Sequence, residues 1–139
     1  MKYSKCLLTV SAVLVGMVVV TSLPLQAQTM AIRVNIPFEF HAGDHSLPAG
    51  TYIVEKRGEA LLISDGKGHE AAVIANAIKN KAYGLNSMVV FNRYGSESFL
   101  KEIRWSDSSI ARTLMATKAE RRLAQVVPTE PVKLAAIAR

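Results

Sequence analysis

The sequence predicts an all-β domain: a small antiparallel sandwich or barrel of about six strands with a short C-terminal helix. Three observations predict it. Apolar and polar residues alternate strictly from Ile32 to His41, and turns rich in glycine separate several short apolar runs. No βαβ spacing occurs, which excludes a Rossmann-like sheet.

A leader precedes that domain. Lys2 and Lys5 form a basic start, residues 6–23 are uncharged and apolar, and Pro24 and Ala27 follow. This pattern reads as a secretory signal peptide over residues 1–27, cut between Ala27 and Gln28. An uncleaved anchor is the alternative, because roughly 18 apolar residues just span a bilayer. Contact with a membrane is expected only through such an uncleaved leader. Cys6 stands at the front of the apolar run, not at the cut, which argues against a lipoprotein.

Removing 27 of the 139 residues leaves 112, enough for one domain. The single cysteine leaves with the leader, so the exported chain is expected to have no disulfide and no thiolate chemistry. Its formal charge falls from +6 to +4 with the two leader lysines. That modest excess favours anionic envelope polymers weakly, and nucleic acid is not an expected partner for an exported chain. The expected location is the periplasm or the medium.

The strands follow in order. Ile32, Val34, Ile36, Phe38 and Phe40 alternate with Arg33, Asn35, Pro37, Glu39 and His41. Pro37 has no N–H to give a ladder, so this strand is expected at a sheet edge or a bulge. "TYIVEK" and "EALLIS" are the next two, and the second runs into "SDGKG", where Asp65-Gly66 suits a tight hairpin. "HEAAVIANA" reads as a fourth strand and "IKNKAYGLN" as a loop. "SMVVFNRY" and "SFLKEIRW" flank the turn "YGSE"; in the latter, Lys101 interrupts the face shared by Phe99, Ile103 and Trp105. Such mixed faces suit an outer side partly covered by the C-terminal helix. These strands are too short and too charged for an outer-membrane barrel.

That helix is expected over residues 118–126, because Thr117 and Glu120 stand at capping-box spacing. The β-rich domain then covers 28–127. Residues 128–139 hold two prolines and no sustained period, and read as a mobile tail. Arg121, Arg122, Lys133 and Arg139 make this end basic.

The stretch "VNIPFEFHAGDHSLPAGTYIV" fits the pattern apolar-Pro-Phe-x-Phe-x-x-Gly-x-x-x-Leu-Pro-Ala-Gly-x-Tyr-x-Val. It resembles a group of short exported bacterial proteins of unassigned function. "VVFNRYGSESFLKEIRW" and "KAERRLA" fit the later half, so the likeness spans most of residues 31–125. It implies no catalytic residue.

His41 and His45, with Asp44 and Glu39 beside them, are the weak candidates for a metal site. A catalytic zinc needs three protein ligands and an open position. These residues could just supply them, with His69 as an outside donor. Strand parity, however, turns His41 outward with Glu39 and Arg33, and Gly43 breaks any helix that would make the two histidines converge. The plainer reading has Asp44 capping a turn between solvated histidines.

"LPAG" reads as turn mechanics, with Gly50 free to take a positive φ, and its mid-chain position rules out a sortase signal. No Gly-x-Ser-x-Gly or phosphate loop is present. Asp65, Glu70, Glu97 and Asp107 carry no pairing signal beyond what any chain with eleven acids offers. The aromatics Tyr52, Tyr83, Tyr94, Phe91, Phe99 and Trp105 are expected in the core, with Trp105 nearest the surface. Ser96, Glu97 and Ser98 read as hairpin-tip polarity only.

The sequence therefore points to an exported, non-catalytic envelope module, binding or structural, that meets an unknown protein or envelope polymer. No catalytic residue, cofactor or metal is expected. The alternatives are a small metal-dependent hydrolase using the His41/His45 loop and a carrier of a small apolar ligand inside a barrel.

Overall fold

The computed structural model describes residues 30–81 and 83–138. The expected leader and its expected cut site lie outside the described residues. The chain forms β1 (Ala31–Ile36), β2 (Phe40–Ala42), β3 (His45–Leu47), β4 (Gly50–Arg57), β5 (Ala60–Ser64) and β6 (Glu70–Ile74). It continues with β7 (Asn76–Lys79), β8 (Met88–Tyr94), β9 (Glu97–Arg104), β10 (Ile110–Thr113), α1 (Lys118–Ala124), β11 (Glu130–Ala135) and β12 (Ile137–Ala138). Among the described residues the protein is mostly β with one short helix, as expected, but it has twelve strands where about six were expected.

The strands make two open sheets. One runs β12-β1-β4-β5-β6, and the other runs β11-β8-β9-β10-β7 with the β2–β3 hairpin attached. Among the described residues all pairings are antiparallel except β2 with β9, where His41 lies opposite Phe99. Both sheets contribute to one apolar core, with Ile32, Val34, Ile36, Tyr52 and Ile63 from the first and Phe40, Val89, Phe91 and Ile103 from the second. Burying side chains of this size contributes about 2 kcal/mol each. The alternation from Ile32 to Ile36 thus selects which face of β1 turns inward.

Several expectations are corrected. β1 is an interior strand, flanked by β4 and by the short β12, so it is not the expected edge. Pro37 falls just after it, in the break before β2, where no ladder bond is lost. The expected fourth strand is two strands in different sheets. Ala75 sits at the crossing, where its N–H donates to Glu59 O at 2.9 Å. Its carbonyl accepts from Arg112 Nη1 at 3.3 Å, so the crossing residue is held from both sides.

The expected tail, 128–139, instead contains β11 and β12. Val132, Leu134 and Ala136 alternate and pack against the core, and β11 pairs along its whole length with β8 from Met88 to Arg93. Pro131 stands in β11, an edge strand, where proline is tolerated.

The interruption at Lys101 has a physical reason. The β8–β9 register shifts between Val90 and Phe91, so Val90 faces Glu102 while Phe91 faces Leu100. Lys101 is the extra residue of a β-bulge, and the bulge brings Leu100 and Ile103 to the same core. Trp105 is 2 % exposed, against the expectation that it reaches the surface. It follows β9 directly, beside a turn that the buried Asn80 fastens through bonds to the Trp105 and Ser108 carbonyls.

α1 is capped at Thr117, whose side chain accepts from Glu120 N at 3.1 Å. The Glu120 carboxylate does not complete a capping box. It turns into the protein and accepts from Tyr94 Oη at 3.1 Å and Asn92 Nδ2 at 3.2 Å. These bonds fix the helix to the face of β8 opposite the core.

Candidate functional site

The β2–β3 hairpin carries the residues singled out in the sequence. His41 pairs with Ser46, and Ala42 pairs with His45. Cross-strand partners share a face and neighbours along a strand alternate, so His41 and His45 project to opposite faces. Glu39 accepts from Ser46 Oγ at 2.9 Å. Asp44 and His45 are exposed and hold no side-chain partner among the described residues. Among the described residues no three His, Cys, Asp or Glu side chains are placed to hold one ion.

The turn belongs to Gly43, not to a cap by Asp44. Gly43 takes φ +59°, and a Cβ there would meet Val73 Cγ1 at 3.1 Å. Only glycine fits both constraints without strain.

His41 is not simply solvated. Its Nε2 lies 2.6 Å from Glu97 Oε2, and its ring stacks on Phe99 with centroids 4.7 Å apart. The hairpin tip read as bare polarity therefore anchors the β2–β3 hairpin to the second sheet. Ser98 is buried and accepts from Arg93 Nε at 3.3 Å, while the Arg93 guanidinium lies 4.6 Å from the Phe38 ring centroid. The parallel contact of β2 with β9 brings His41 to Phe99 and Glu97, and nothing in the local sequence signals it, whereas Arg93 and Ser98 meet as partners in the β8–β9 hairpin.

A second cluster surrounds the β5–β6 turn. Asp65 Oδ1 accepts from the N–H groups of Lys67 and His69, and Oδ2 lies 2.7 Å from His69 Nδ1. Burial opposes ionisation of Asp65, but the Lys67 N–H, the His69 ring and the His69 N–H outweigh it and hold its carboxyl below the ordinary range. Tyr52 is pushed up, first by burial and then by the negative charge of Asp65. The Arg104 guanidinium is also raised, chiefly by its bond to Glu102 against the opposing effect of burial. "LPAG" departs from expectation at Gly50, which opens β4 opposite Ile36 and has no positive φ.

Of the aromatics, Tyr52, Phe91, Tyr94, Phe99 and Trp105 are buried, and Tyr83 is 62 % exposed. Tyr83 lines a groove of about 540 Å³ with Ala77, Ile78, Lys79 and Ile110. β7 forms the border of that groove and, among the described residues, pairs only with β10, which leaves its other edge without a partner strand there. Ile74, at the end of the open edge strand β6, is 71 % exposed. Apolar side chains of this size beside unpaired backbone are a site where another chain can pair.

No helix among the described residues is long and apolar enough to cross a membrane. Comparison with known proteins finds no significant match to any family model, curated protein or solved structure.

Proposed function

We propose that the protein is an exported, non-catalytic cell-envelope module, a β-sandwich that acts by surface contact in the periplasm or outside the cell. The observation that carries this reading is the open β7 edge beside exposed Ile78, Tyr83 and Ile110. An extended segment of another envelope protein fits such an edge, adding a strand through its backbone and placing alternate side chains in the groove. Lys79 and Lys81 stand on the same stretch, so the segment is one with acidic as well as apolar side chains. The leader pattern and the likeness to short exported proteins support export. The opposite orientation of His41 and His45 supports a role without metal catalysis.

The test is site-specific photocrosslinking in a producing bacterium. A photoreactive residue at position 78 is expected to give one discrete adduct in the envelope fraction, and one at exposed Glu59 none. Lys79→Glu with Lys81→Glu is expected to abolish the adduct. Cytoplasmic fractionation of the protein, or equal labelling from both positions, would refute the proposal.

A further inference from the structure

The outer face of the first sheet holds a cleft that this surface role does not use. Arg33 of β1, Thr51 and Ile53 of β4, and Asp65, Lys67 and His69 of the β5–β6 turn line it, with residues 48–50 as one wall. Its volume is about 490 Å³, inside the roughly 300–1,000 Å³ typical of small-molecule sites. Three segments distant in sequence meet here because Arg33 pairs with Ile53 and Ile53 pairs with Ser64, beside the turn.

The charges in the cleft are unequal in their commitments. Asp65 spends its acceptor capacity on the turn, taking the Lys67 and His69 N–H groups at 2.8 and 3.1 Å and the His69 ring at 2.7 Å. A carboxylate only accepts, so His69 Nδ1 carries the hydrogen and Nε2 is the ring atom left for another partner. Arg33 and Lys67 make no side-chain hydrogen bond or ion pair among the described residues. Two unpaired cations thus outnumber one carboxylate that is already bonded. Ile53, Pro48 and Ala49 add an apolar surface, and Thr51 a hydroxyl.

We infer that this cleft binds an anionic monosaccharide, the anion being a phosphate ester or a carboxylate. Arg33 and Lys67 hold the anionic group, since a guanidinium meets either group with paired N–H donors. Thr51 and His69 meet ring hydroxyls, and the apolar wall covers the C–H face of the sugar. This site stands apart from the β7 edge, so either can fail without the other.

Calorimetric titration of the purified protein, produced from the full chain, tests it. The probes are glucose 6-phosphate, glucuronate, inorganic phosphate and glucose. Saturable binding of one sugar anion is expected, weaker binding of inorganic phosphate, and none of glucose; the two sugar anions separate phosphate from carboxylate recognition. Arg33→Ala and Lys67→Ala are each expected to weaken binding about tenfold, Arg33→Lys less, and Lys133→Ala not at all. Thermal unfolding of each variant checks that it folds. Absence of saturation by either sugar anion up to about 10 mM, equal binding of glucose, or an equal loss in Lys133→Ala would overturn the inference.

Discussion

The Tyr52 hydroxyl donates to the Pro48 carbonyl at 2.6 Å, closing the Leu-Pro-Ala-Gly turn onto the strand that follows it. The Tyr52 ring is buried, edge-on to Phe40 at 5.2 Å. The spacing Leu-Pro-Ala-Gly-x-Tyr is thus a physical unit: the turn presents a carbonyl, and the tyrosine two residues into β4 satisfies it from the core. Tyr52→Phe keeps the ring and loses the bond, at an expected cost of about 1 kcal/mol. Tyr52→Ala also opens a cavity and costs about 4 kcal/mol. Urea denaturation measures both, and an unchanged midpoint in Tyr52→Phe would remove the hydroxyl from this account.

The same tyrosine gives an alkaline signature. Its folded value lies above the ordinary 10.0, so the folded state holds its proton longer than the unfolded chain does. Its contribution is complete below the ordinary value and is lost as the pH rises through the folded one. Tyr52→Phe removes this dependence. Unfolding midpoints between about pH 9 and 11 are therefore expected to fall more steeply for the wild type than for the variant.

Asp65 works in the opposite direction. Its folded value lies below the ordinary 3.8, so the unfolded chain takes up the proton first as the pH falls. The stability it gives is present above the ordinary value and is lost as the pH drops through the folded one. Asp65→Asn keeps an acceptor for the turn and removes the titration. Below about pH 4, its stability is expected to fall less steeply than that of the wild type.

Much of this architecture is legible because strands with one buried face write a period of two into the sequence. β4, β5, β8 and β9 stand where the sequence pattern puts them, and Thr117 marks the start of the helix, but the single strand expected over Ile32–Phe40 is split between β1 and β2 in different sheets. Legibility ends where pairing is decided between distant segments. The crossing at Ala75, the interior position of β1, and the strands β11 and β12 depend on which surface another segment leaves open. The candidate sites are hidden for the same reason. Arg33, Thr51 and Lys67 each look like ordinary solvent-side residues, and only the register of β1, β4 and β5 gathers them. Glu97 becomes the partner of His41 through a parallel contact 56 positions apart in the chain.

Gly43 tests the packing of the β2–β3 turn. Gly43→Ala places a methyl group 3.1 Å from Val73 Cγ1 at a residue with φ +59°. The backbone conformation alone costs about 1–2 kcal/mol for a residue with a Cβ. Adding Val73→Ala relieves the contact but not the φ. The double variant is thus expected to lose less stability than the two single losses added together, and strict additivity in chemical denaturation would separate Gly43 from Val73.

Among the described residues, Glu120 is the single polar tie between α1 and the face of β8 that it covers. The residue is 5 % exposed and its carboxylate accepts from both Tyr94 and Asn92, so truncation leaves two donors with no acceptor in a place water reaches poorly. Glu120→Ala is expected to cost about 2–3 kcal/mol, and Glu120→Gln about 1 kcal/mol because one oxygen still accepts. Tyr94→Phe removes one partner. If the bond is made as described, the Glu120→Ala and Tyr94→Phe losses share it, and the double variant falls about 1 kcal/mol short of their sum. Full additivity in urea denaturation would mean that the Tyr94–Glu120 bond contributes nothing to stability.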